Sequence, residues 1–376
     1  MATQYYCMKC GSPYPEKGLP FRCDCGGVFS MCGLQYKQEN YHKTGLPGMW
    51  KYLSGFDLEE ESRPFYLGEG ATALVPVDGY NQKLYFKCEH LNPSGSFKDR
   101  QSAMLMSILK ARGINEILED SSGNAGASVA HYAAAAGVKN HIFIPEGSSG
   151  AKRKQIEFSG AEIVEIKGER INSALAVEKQ HIDTGIPYAS HAWLPFGLAA
   201  YATIAYEIYE TLGKMPDGVF APIGHGSLFL GLLMGFEAIE DAIGEKRPAM
   251  IGVQAENCAP VYCAWKGISF DNALETIADG TAVSKPVRAG EIIAKLKDNY
   301  DKLLAINEDE VARSQIELAE MGFYVEPTAA MVWGAFSASD LKIYKEMKDV
   351  VFILSGNGLK SKFSKIDLKK RLLLSH

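Results

Sequence analysis

The chain has 376 residues, of which 47% are hydrophobic and 22% charged, a composition that excludes a disordered chain, a collagen and a coiled coil. With 39 Lys and Arg against 45 Asp and Glu, the formal charge is -6, which argues against nucleic acid as a partner. No stretch approaches the roughly 18 apolar residues of a membrane span, and MATQYYCMKC lacks the layout of an export signal. These features predict a soluble, cytoplasmic protein with no membrane partner.

Four cysteines near the N-terminus form two closely spaced pairs, CMKCG and RCDCGG. Two pairs of thiolates on glycine-bearing turns can close a tetrahedron around zinc, with Zn–S distances of about 2.3 Å. We therefore predict that residues 1–40 form a zinc-ribbon-like segment whose structural metal is held by Cys7, Cys10, Cys23 and Cys25. The alternative is a small reduced lobe without a metal.

From about residue 83 onward, short apolar runs alternate with helical patterns, and glycine ends most of them. This alternation predicts an α/β fold. The predicted strands are 84–90, 114–120, 140–147, 161–168, 218–222, 249–257 and 350–354. The predicted helices are 97–113, 125–137, 148–160 and 228–240.

Three glycine-bearing turns follow predicted strands, at the edge where open α/β sheets bind their ligands. One of them, IGHGSL at 223–228, offers unobstructed backbone N–H groups at the start of a helix, which suits a phosphate group. The alternative is a tight packing corner. Its spacing differs from GxGxxG and the chain has no GxxxxGK[ST], so a dinucleotide and a nucleoside triphosphate are disfavoured.

A lysine opens the helix that follows the turn NPSGSFKDR at 92–100. A partly buried amine near the positive end of a helix has a lowered pKa, which makes Lys98 a candidate for a Schiff base with an aldehyde. The alternative is a solvated lysine paired with Asp99. A phosphate-binding turn, a reactive lysine and the polar turn SSGN at 121–124 together are the groups that pyridoxal phosphate needs.

These motifs resemble those of the fold-type II, tryptophan-synthase-β-like pyridoxal-phosphate enzymes, and among them the threonine synthase family. The resemblance runs through CMKCG, RCDCGG, LGEGATAL, NPSGSFKDR, SSGNAGAS, IGHGSL, VEPTAA and LSGNG. It implies two open twisted-sheet domains behind the cysteine-rich segment. We expect a large cofactor-binding domain at 41–100 and 196–376, a small α/β domain at 101–195, and a homodimer.

The resemblance also implies roles for individual residues. Lys98 is expected to hold the cofactor and to act as the catalytic base, and Asn124 to bind the ring oxygen. Ser355 is expected to face the pyridine nitrogen, where an uncharged hydroxyl leaves the ring a moderate electron sink. The cofactor phosphate is expected to lie among Gly224, His225, Gly226, Ser227 and Leu228, and the substrate carboxylate among Ser121, Ser122 and Asn124.

The sequence departs from the threonine synthase pattern at Ala73, at Gln101 and within HAWLPFGLAAYAT, where a lysine of the family is replaced. A substrate phosphate needs several charge-assisted donors. The basic run AKRK at 151–154 offers Lys152, Arg153 and Lys154 instead, although such a run is more often a solvated helix face.

Three hypotheses for function follow. The first is a threonine synthase that converts O-phosphohomoserine and water to threonine and phosphate. The second is a pyridoxal-phosphate enzyme that eliminates or replaces a β-substituent of another amino acid, such as an ammonia-lyase or a cysteate-synthase-like enzyme. The third, from a different class, is a non-catalytic protein that binds the cofactor or a metal.

Overall fold

The structure is a computed structural model that describes residues 4–37, 45–56, 64–78, 80–297, 300–338, 344 and 346–374. Its strands are β1 Gln4–Cys7, β2 Phe29–Cys32, β3 Leu74–Val77, β4 Lys83–Lys87, β5 Glu116–Glu119, β6 Lys139–Pro145, β7 Glu162–Ile166, β8 Gly218–Pro222, β9 Ala249–Ala255, β10 Lys302–Ile306 and β11 Asp349–Ile353. Its helices are α1 Lys98–Ala111, α2 Asn124–Ala136, α3 Ala151–Phe158, α4 Arg170–Thr184, α5 Phe196–Leu212, α6 Ser227–Ile243, α7 Pro260–Lys266, α8 Ala289–Lys295, α9 Glu308–Glu320, α10 Pro327–Ser337 and α11 Lys365–Leu374.

Each strand and helix predicted from residue 84 onward is present, with ends that differ by a few residues. The predicted α/β class is therefore confirmed. No helix in the described part of the chain combines the length and the apolar composition needed to cross a lipid bilayer.

The chain forms two compact units, one of Met1–Ala71 with Asn92–Thr203 and one of Thr72–Leu91 with Ile204–His376. The expected domain border at 100/101 would separate the lysine turn from the small sheet. In the structure the turn belongs to the first unit, because the buried carboxylate of Asp99 accepts hydrogen bonds from both Ser94 and Ser128.

The first unit contains a parallel sheet of three strands in the order β5-β6-β7. Alternate side chains of β6 point to opposite faces, as a strand requires. Ile142 and Ile144 pack with Ile156 of α3 on one face, whereas Phe143 packs with Val177 of α4 on the other. Because both faces are covered, the ends of the strands are the places where polar side chains can gather.

The N-terminal segment of the first unit is a small antiparallel hairpin of β1 and β2, in which Gln4 pairs with Cys32. Aromatic rings attach this hairpin to the start of α5. The ring of Phe196 lies 5.0 Å from both Tyr5 and Tyr14, and Tyr14 lies 4.6 Å from Phe29. The hairpin therefore packs against the unit that carries it.

The second unit contains a six-stranded sheet in the order β10-β9-β8-β11-β4-β3, parallel except for β3. Every residue of β8, β9 and β11 is buried, as expected for strands covered on both faces. On one face Phe352 packs against Phe220, Trp333 and Phe336, with ring centroids 5.2, 5.5 and 5.1 Å away. Since β8 and β11 are parallel neighbours, the turns that follow them emerge at the same edge.

Candidate active site

The turn that precedes Lys98 is fixed by one buried carboxylate. Asp99 accepts hydrogen bonds from the backbone N–H of Ser94 at 2.6 Å, from the Ser94 hydroxyl at 2.5 Å and from the Ser128 hydroxyl at 2.6 Å. Gly95 takes a left-handed conformation with φ of 89°, which closes the turn. The backbone at the start of α1 therefore has one arrangement, and Lys98 leaves it in a defined direction.

The amine of Lys98 lies against aromatic rings, 4.9 Å from the ring centroid of Phe97 and 5.9 Å from that of Tyr201. Burial lowers the pKa of Lys98 to about 8, although the negative charge of Glu119 opposes this change. Near neutral pH a larger fraction of this amine is unprotonated than in an ordinary lysine. Such an amine can attack an aldehyde and can accept a proton.

The SSGN turn lies in the same unit as Lys98, at the end of β5. The N–H of Gly123 donates to the hydroxyl of Ser121 at 3.1 Å, and α2 begins at Asn124. Ser128 of α2 bonds Asp99, so the structure brings the lysine turn and the SSGN turn together. Ser121 and Asn124 are buried, whereas Ser122 is half-buried.

The glycine turn lies in the second unit, between β8 and α6. Gly226 has a φ of 105°, and a Cβ atom there would lie 2.7 Å from Ile292. A Cβ at Gly224 would lie 3.2 Å from the carbonyl oxygen of Gly280, whose N–H donates to Thr328. The positive φ favours glycine at Gly226, and close packing leaves little room for a side chain at Gly224, so neither position carries a side chain that could cover the backbone N–H groups of the turn.

Two buried hydroxyl groups stand at this edge of the second sheet. Ser227, which opens α6, is 5% exposed, and Ser355, just beyond β11, is 1% exposed. Neither hydroxyl has a hydrogen-bond partner among the residues that the structure describes. Native proteins rarely leave such groups unsatisfied. The residues present therefore fit a polar ligand, and a phosphate near Ser227 with a ring nitrogen near Ser355 would supply the missing partners.

The loop after Ser355 is held by Glu326 of the VEPTAA motif. Its backbone N–H donates to the carbonyl of Gly356 at 3.0 Å, and a Cβ at Gly356 would lie 2.1 Å from its carboxylate. Glu326 is 1% exposed. Its carboxylate thus packs directly against the residue next to Ser355.

The four N-terminal cysteines come together in the first unit. The sulfur atoms of Cys7 and Cys25 are 3.5 Å apart, those of Cys10 and Cys23 are 3.6 Å apart, and all four lie within 4.8 Å of one another. A tetrahedral zinc site with bonds of about 2.3 Å needs sulfur atoms roughly 3.8 Å apart. A Cβ at Gly27 would lie 2.5 Å from the sulfur of Cys7, so this glycine leaves the thiols room to converge. The four side chains fit a zinc ion.

A further group of buried polar side chains was not predicted from the sequence. Glu119 and Asp120 end β5 immediately before the SSGN turn, and Glu119 accepts a hydrogen bond from Nδ1 of His191 at 2.6 Å. The hydroxyl of Tyr188 donates to Asp120 at 2.7 Å. The two adjacent acids at the end of an apolar strand are a signal that the sequence does contain. Their partners lie about seventy residues away in the chain, and the sequence does not indicate them.

Burial sets the protonation of this group. It raises the pKa of Glu119 to about 7 and raises that of Asp120. It lowers the pKa of His191 to about 3, and the positive charge of Lys98 adds to this effect. His191 is therefore a neutral imidazole above acidic pH, and its Nδ1–H is the donor to Glu119.

The basic run at the start of α3 is divided between surface and interior. Arg153 pairs with Glu157 and Glu165, and Lys154 is exposed, as expected for a solvated helix face. Lys152 is instead buried, with 6% of its surface exposed. One turn further along the same face, Gln155 donates to the carbonyl of Ser94 at 3.0 Å, so this face meets the lysine turn.

The fold and the site define a class of protein. The sequence profile described as "Pyridoxal-phosphate dependent enzyme" matches residues 65–356. The chain therefore belongs to the family of pyridoxal-phosphate-dependent enzymes, and it is a lyase of the threonine synthase kind.

Relatives and solved structures agree with this assignment. The threonine synthases of Methanocaldococcus jannaschii and Methanosarcina acetivorans are each 30% identical to the chain; the alignments cover 94% and 96% of it, and 92% and 93% of those proteins. Maize serine racemase has the same fold, with a TM-score of 0.69 and 20% identity over 81% of this chain and 93% of that one. Threonine deaminase isoform 2 of Solanum lycopersicum has a TM-score of 0.68 and 22% identity over 78% and 80%. The expected fold type is thereby confirmed.

Gly126 allows the SSGN turn to close on α2, and its replacement should destabilise the protein. A Cβ at Gly126 would lie 1.8 Å from the carbonyl oxygen of Ser121. We expect Gly126→Ala to lower the free energy of unfolding by about 2 to 3 kcal/mol, because backbone atoms must move. Urea unfolding followed by circular dichroism measures this loss.

Gly123→Ala is the matched control. At this position the nearest atom to an added Cβ is the Ser121 hydroxyl at 3.6 Å, and φ is -99°. The expected loss is below about 1 kcal/mol. Equal losses for the two variants would contradict the close approach described for Gly126.

Proposed function

We propose that the chain is a threonine synthase that converts O-phosphohomoserine and water to threonine and phosphate. The observation that carries this proposal is the near full-length similarity to curated threonine synthases, in a chain that keeps a half-buried Lys98 at the end of a preorganised turn. Bound pyridoxal phosphate supplies a conjugated ring that spreads the negative charge left when a substrate loses its α-proton. The residues of this chain would bind the cofactor and the substrate and would transfer the protons.

In this proposal Lys98 would hold the cofactor covalently, and its amine, when free, would move protons at the substrate carbon. A pKa of about 8 suits both tasks near neutral pH. Ser121, Ser122 and Asn124 bind the substrate carboxylate, and Asn124 also bonds the ring oxygen. The turn Gly224, His225, Gly226, Ser227 and Leu228 binds the cofactor phosphate, and the hydroxyl of Ser355 faces the ring nitrogen.

We assign the phosphate of the substrate to Lys152. This lysine is buried on the face of α3 that meets the lysine turn, so its charge is directed away from bulk water. Arg153 is half-buried and Lys154 is exposed, so Lys152 is the most deeply buried cation of the run.

A second candidate function is elimination or replacement at the β-carbon of another amino acid. It is favoured by the residues near Lys98 at the start of α5. The segment that carries a lysine in the family pattern carries buried Tyr201 and Ala202 here, and the ring of Tyr201 lies 5.9 Å from the lysine amine. An aromatic ring suits a leaving group without charge better than a phosphate dianion.

In this proposal the binding partner of the chain is its substrate, a small amino acid. The homodimer and the cytoplasmic location stay predictions of the resemblance and the composition.

Covalent attachment is tested by reduction with borohydride followed by mass spectrometry of the peptides. We expect one pyridoxal adduct per chain, located on Lys98, and no adduct in Lys98→Ala, because no other amine would be joined to the cofactor. Lys110→Ala, an exposed lysine in the last turn of the same helix, should keep the adduct. An adduct that survives in Lys98→Ala would refute the assignment.

Substrate choice is tested by phosphate release from O-phosphohomoserine. We expect turnover by the wild type, and a KM for O-phosphohomoserine at least roughly tenfold higher in Lys152→Ala, because a charge-assisted bond to phosphate is lost. Lys154→Ala, two residues further along α3 and exposed, should leave KM unchanged.

The same assay separates the two candidate functions. Ammonia or pyruvate released from serine, threonine, phosphoserine or 2,3-diaminopropionate, without phosphate release from O-phosphohomoserine, would favour the second. It would contradict the first.

We also propose that Cys7, Cys10, Cys23 and Cys25 hold a structural zinc ion that keeps the N-terminal hairpin folded. Elemental analysis of protein purified under reducing conditions should find about one zinc per chain. Cys7→Ser and Cys23→Ser should lose the metal and lower the melting temperature. Cys32→Ser should retain it, because that exposed cysteine lies outside the cluster. A wild type that takes up no zinc would exclude the site.

A further inference from the structure

Glu119 is a buried acid that the proposed reaction does not use. Its side chain is fully buried, Oε1 accepts a hydrogen bond from His191 at 2.6 Å, and Oε2 meets no donor among the described residues. A buried carboxylate with an unsatisfied oxygen is costly unless a positive charge stands nearby. The cations whose charges act on it are Lys98 and Arg170, of which Arg170 is exposed to water.

A chain of buried contacts connects Lys98 to this acid. The ring of Tyr201 lies beside the amine of Lys98, and its hydroxyl donates to Oε1 of Gln101 at 2.6 Å. Nε2 of Gln101 donates to the carbonyl oxygen of His191 at 3.1 Å, and the ring of His191 donates to Glu119. Gln101 is one of the positions at which the sequence departs from the threonine synthase pattern, and here it fixes the backbone of His191.

The charges of the two groups are complementary in a narrow range of pH. The pKa of Glu119 is raised to about 7 and the pKa of Lys98 is lowered to about 8, each mainly by burial. Between these values the acid is ionised and the amine is protonated. Each charge opposes the effect of burial on the other, since the negative charge of Glu119 raises the pKa of Lys98.

We propose that Glu119, oriented by His191, is a positioning residue that acts as the buried counter-charge of the Lys98 amine and governs when that amine is free to react. This role rests on the proposed function of Lys98 as the residue that joins the cofactor. It goes beyond that function because neither Glu119 nor His191 touches the reacting atoms in the roles assigned above.

Few other charges face this pair. Asp120 follows Glu119 at the end of β5 and is bonded by the hydroxyl of Tyr188. Tyr188 stays neutral, because burial raises its pKa well above the usual value. Arg170 at the start of α4 is exposed. His191 is neutral over the working range, so the ionised acid whose charge acts on Lys98 is Glu119, with Asp120 as its neighbour in the chain.

The test measures the protonation of Lys98 without using turnover. Cofactor is removed from the full-length protein, and added pyridoxal phosphate is allowed to couple to it again. The coupling rate is followed by absorbance between about pH 6 and about pH 9.5, a range that includes the lowered pKa of a buried lysine. Only the unprotonated amine couples, so the rate rises with pH around the pKa of Lys98. We expect a wild-type midpoint of about 8. In Glu119→Gln the midpoint should fall by roughly one pH unit, because the charge that favours the ammonium is removed.

Two variants control the measurement. Glu119→Asp keeps the charge and should restore the midpoint most of the way to the wild-type value. Glu116→Gln changes a half-buried glutamate on the same strand, paired with Lys139 at 2.9 Å and His141 at 2.8 Å, and should leave the midpoint unchanged. A merely structural role for Glu119 would lower stability in both of its variants without separating their midpoints.

If Glu119→Gln does not fold, His191→Ala tests the same pair, since loss of the hydrogen bond disfavours ionised Glu119 and should lower the midpoint as well. An unchanged midpoint in Glu119→Gln or in His191→Ala, with the adduct still formed on Lys98, would overturn the role of Glu119 and leave the proposed function intact. Absence of the adduct in the wild type would overturn both.

Discussion

The arrangement of the first unit depends on one buried carboxylate, that of Asp99. It gathers the Ser94 backbone, the Ser94 hydroxyl and the Ser128 hydroxyl, and so joins the lysine turn to α2. Hydrogen bonds to a charged group contribute about 1.5 to 3 kcal/mol each, net of the hydrogen bonds to water that they replace. Because Asp99 follows Lys98 directly, the group that stabilises the turn also fixes the residue that the chemistry requires.

In the second unit, the position of the polar groups follows from the sheet order. Strands β8 and β11 are parallel neighbours, so the glycine turn after one and Ser355 after the other share an edge. Gly224 and Gly226 let the turn pack closely against Gly280 and Ile292, since neighbouring atoms fill much of the space a side chain would need. The phosphate-binding role proposed for this turn depends on the backbone N–H groups that these two glycines leave uncovered.

The sequence predicts those features that are local. Strand and helix periodicity indicated the βα units, and turn residues indicated the SSGN and IGHGSL motifs, because each depends on a few adjacent residues. Features that join distant segments could not be obtained in this way. Glu119 and His191 lie 72 residues apart in the chain, and only the fold shows that they share a hydrogen bond. Likewise, nothing in AKRK distinguishes Lys152, which is buried, from Lys154, which is exposed.

Two buried acids of the first unit differ in how the surrounding residues compensate their charges. Both oxygens of Asp99 accept hydrogen bonds, so its charge is compensated by neighbouring donors at fixed positions. Glu119 has one oxygen bonded to His191 and the other without a donor among the described residues. An acid left in this state is stabilised by any cation that stays close, and it is destabilised when that cation loses its proton. In the role proposed for Glu119 its ionisation is coupled to that of Lys98, whereas the bonds of Asp99 hold the turn whatever the charge on the amine.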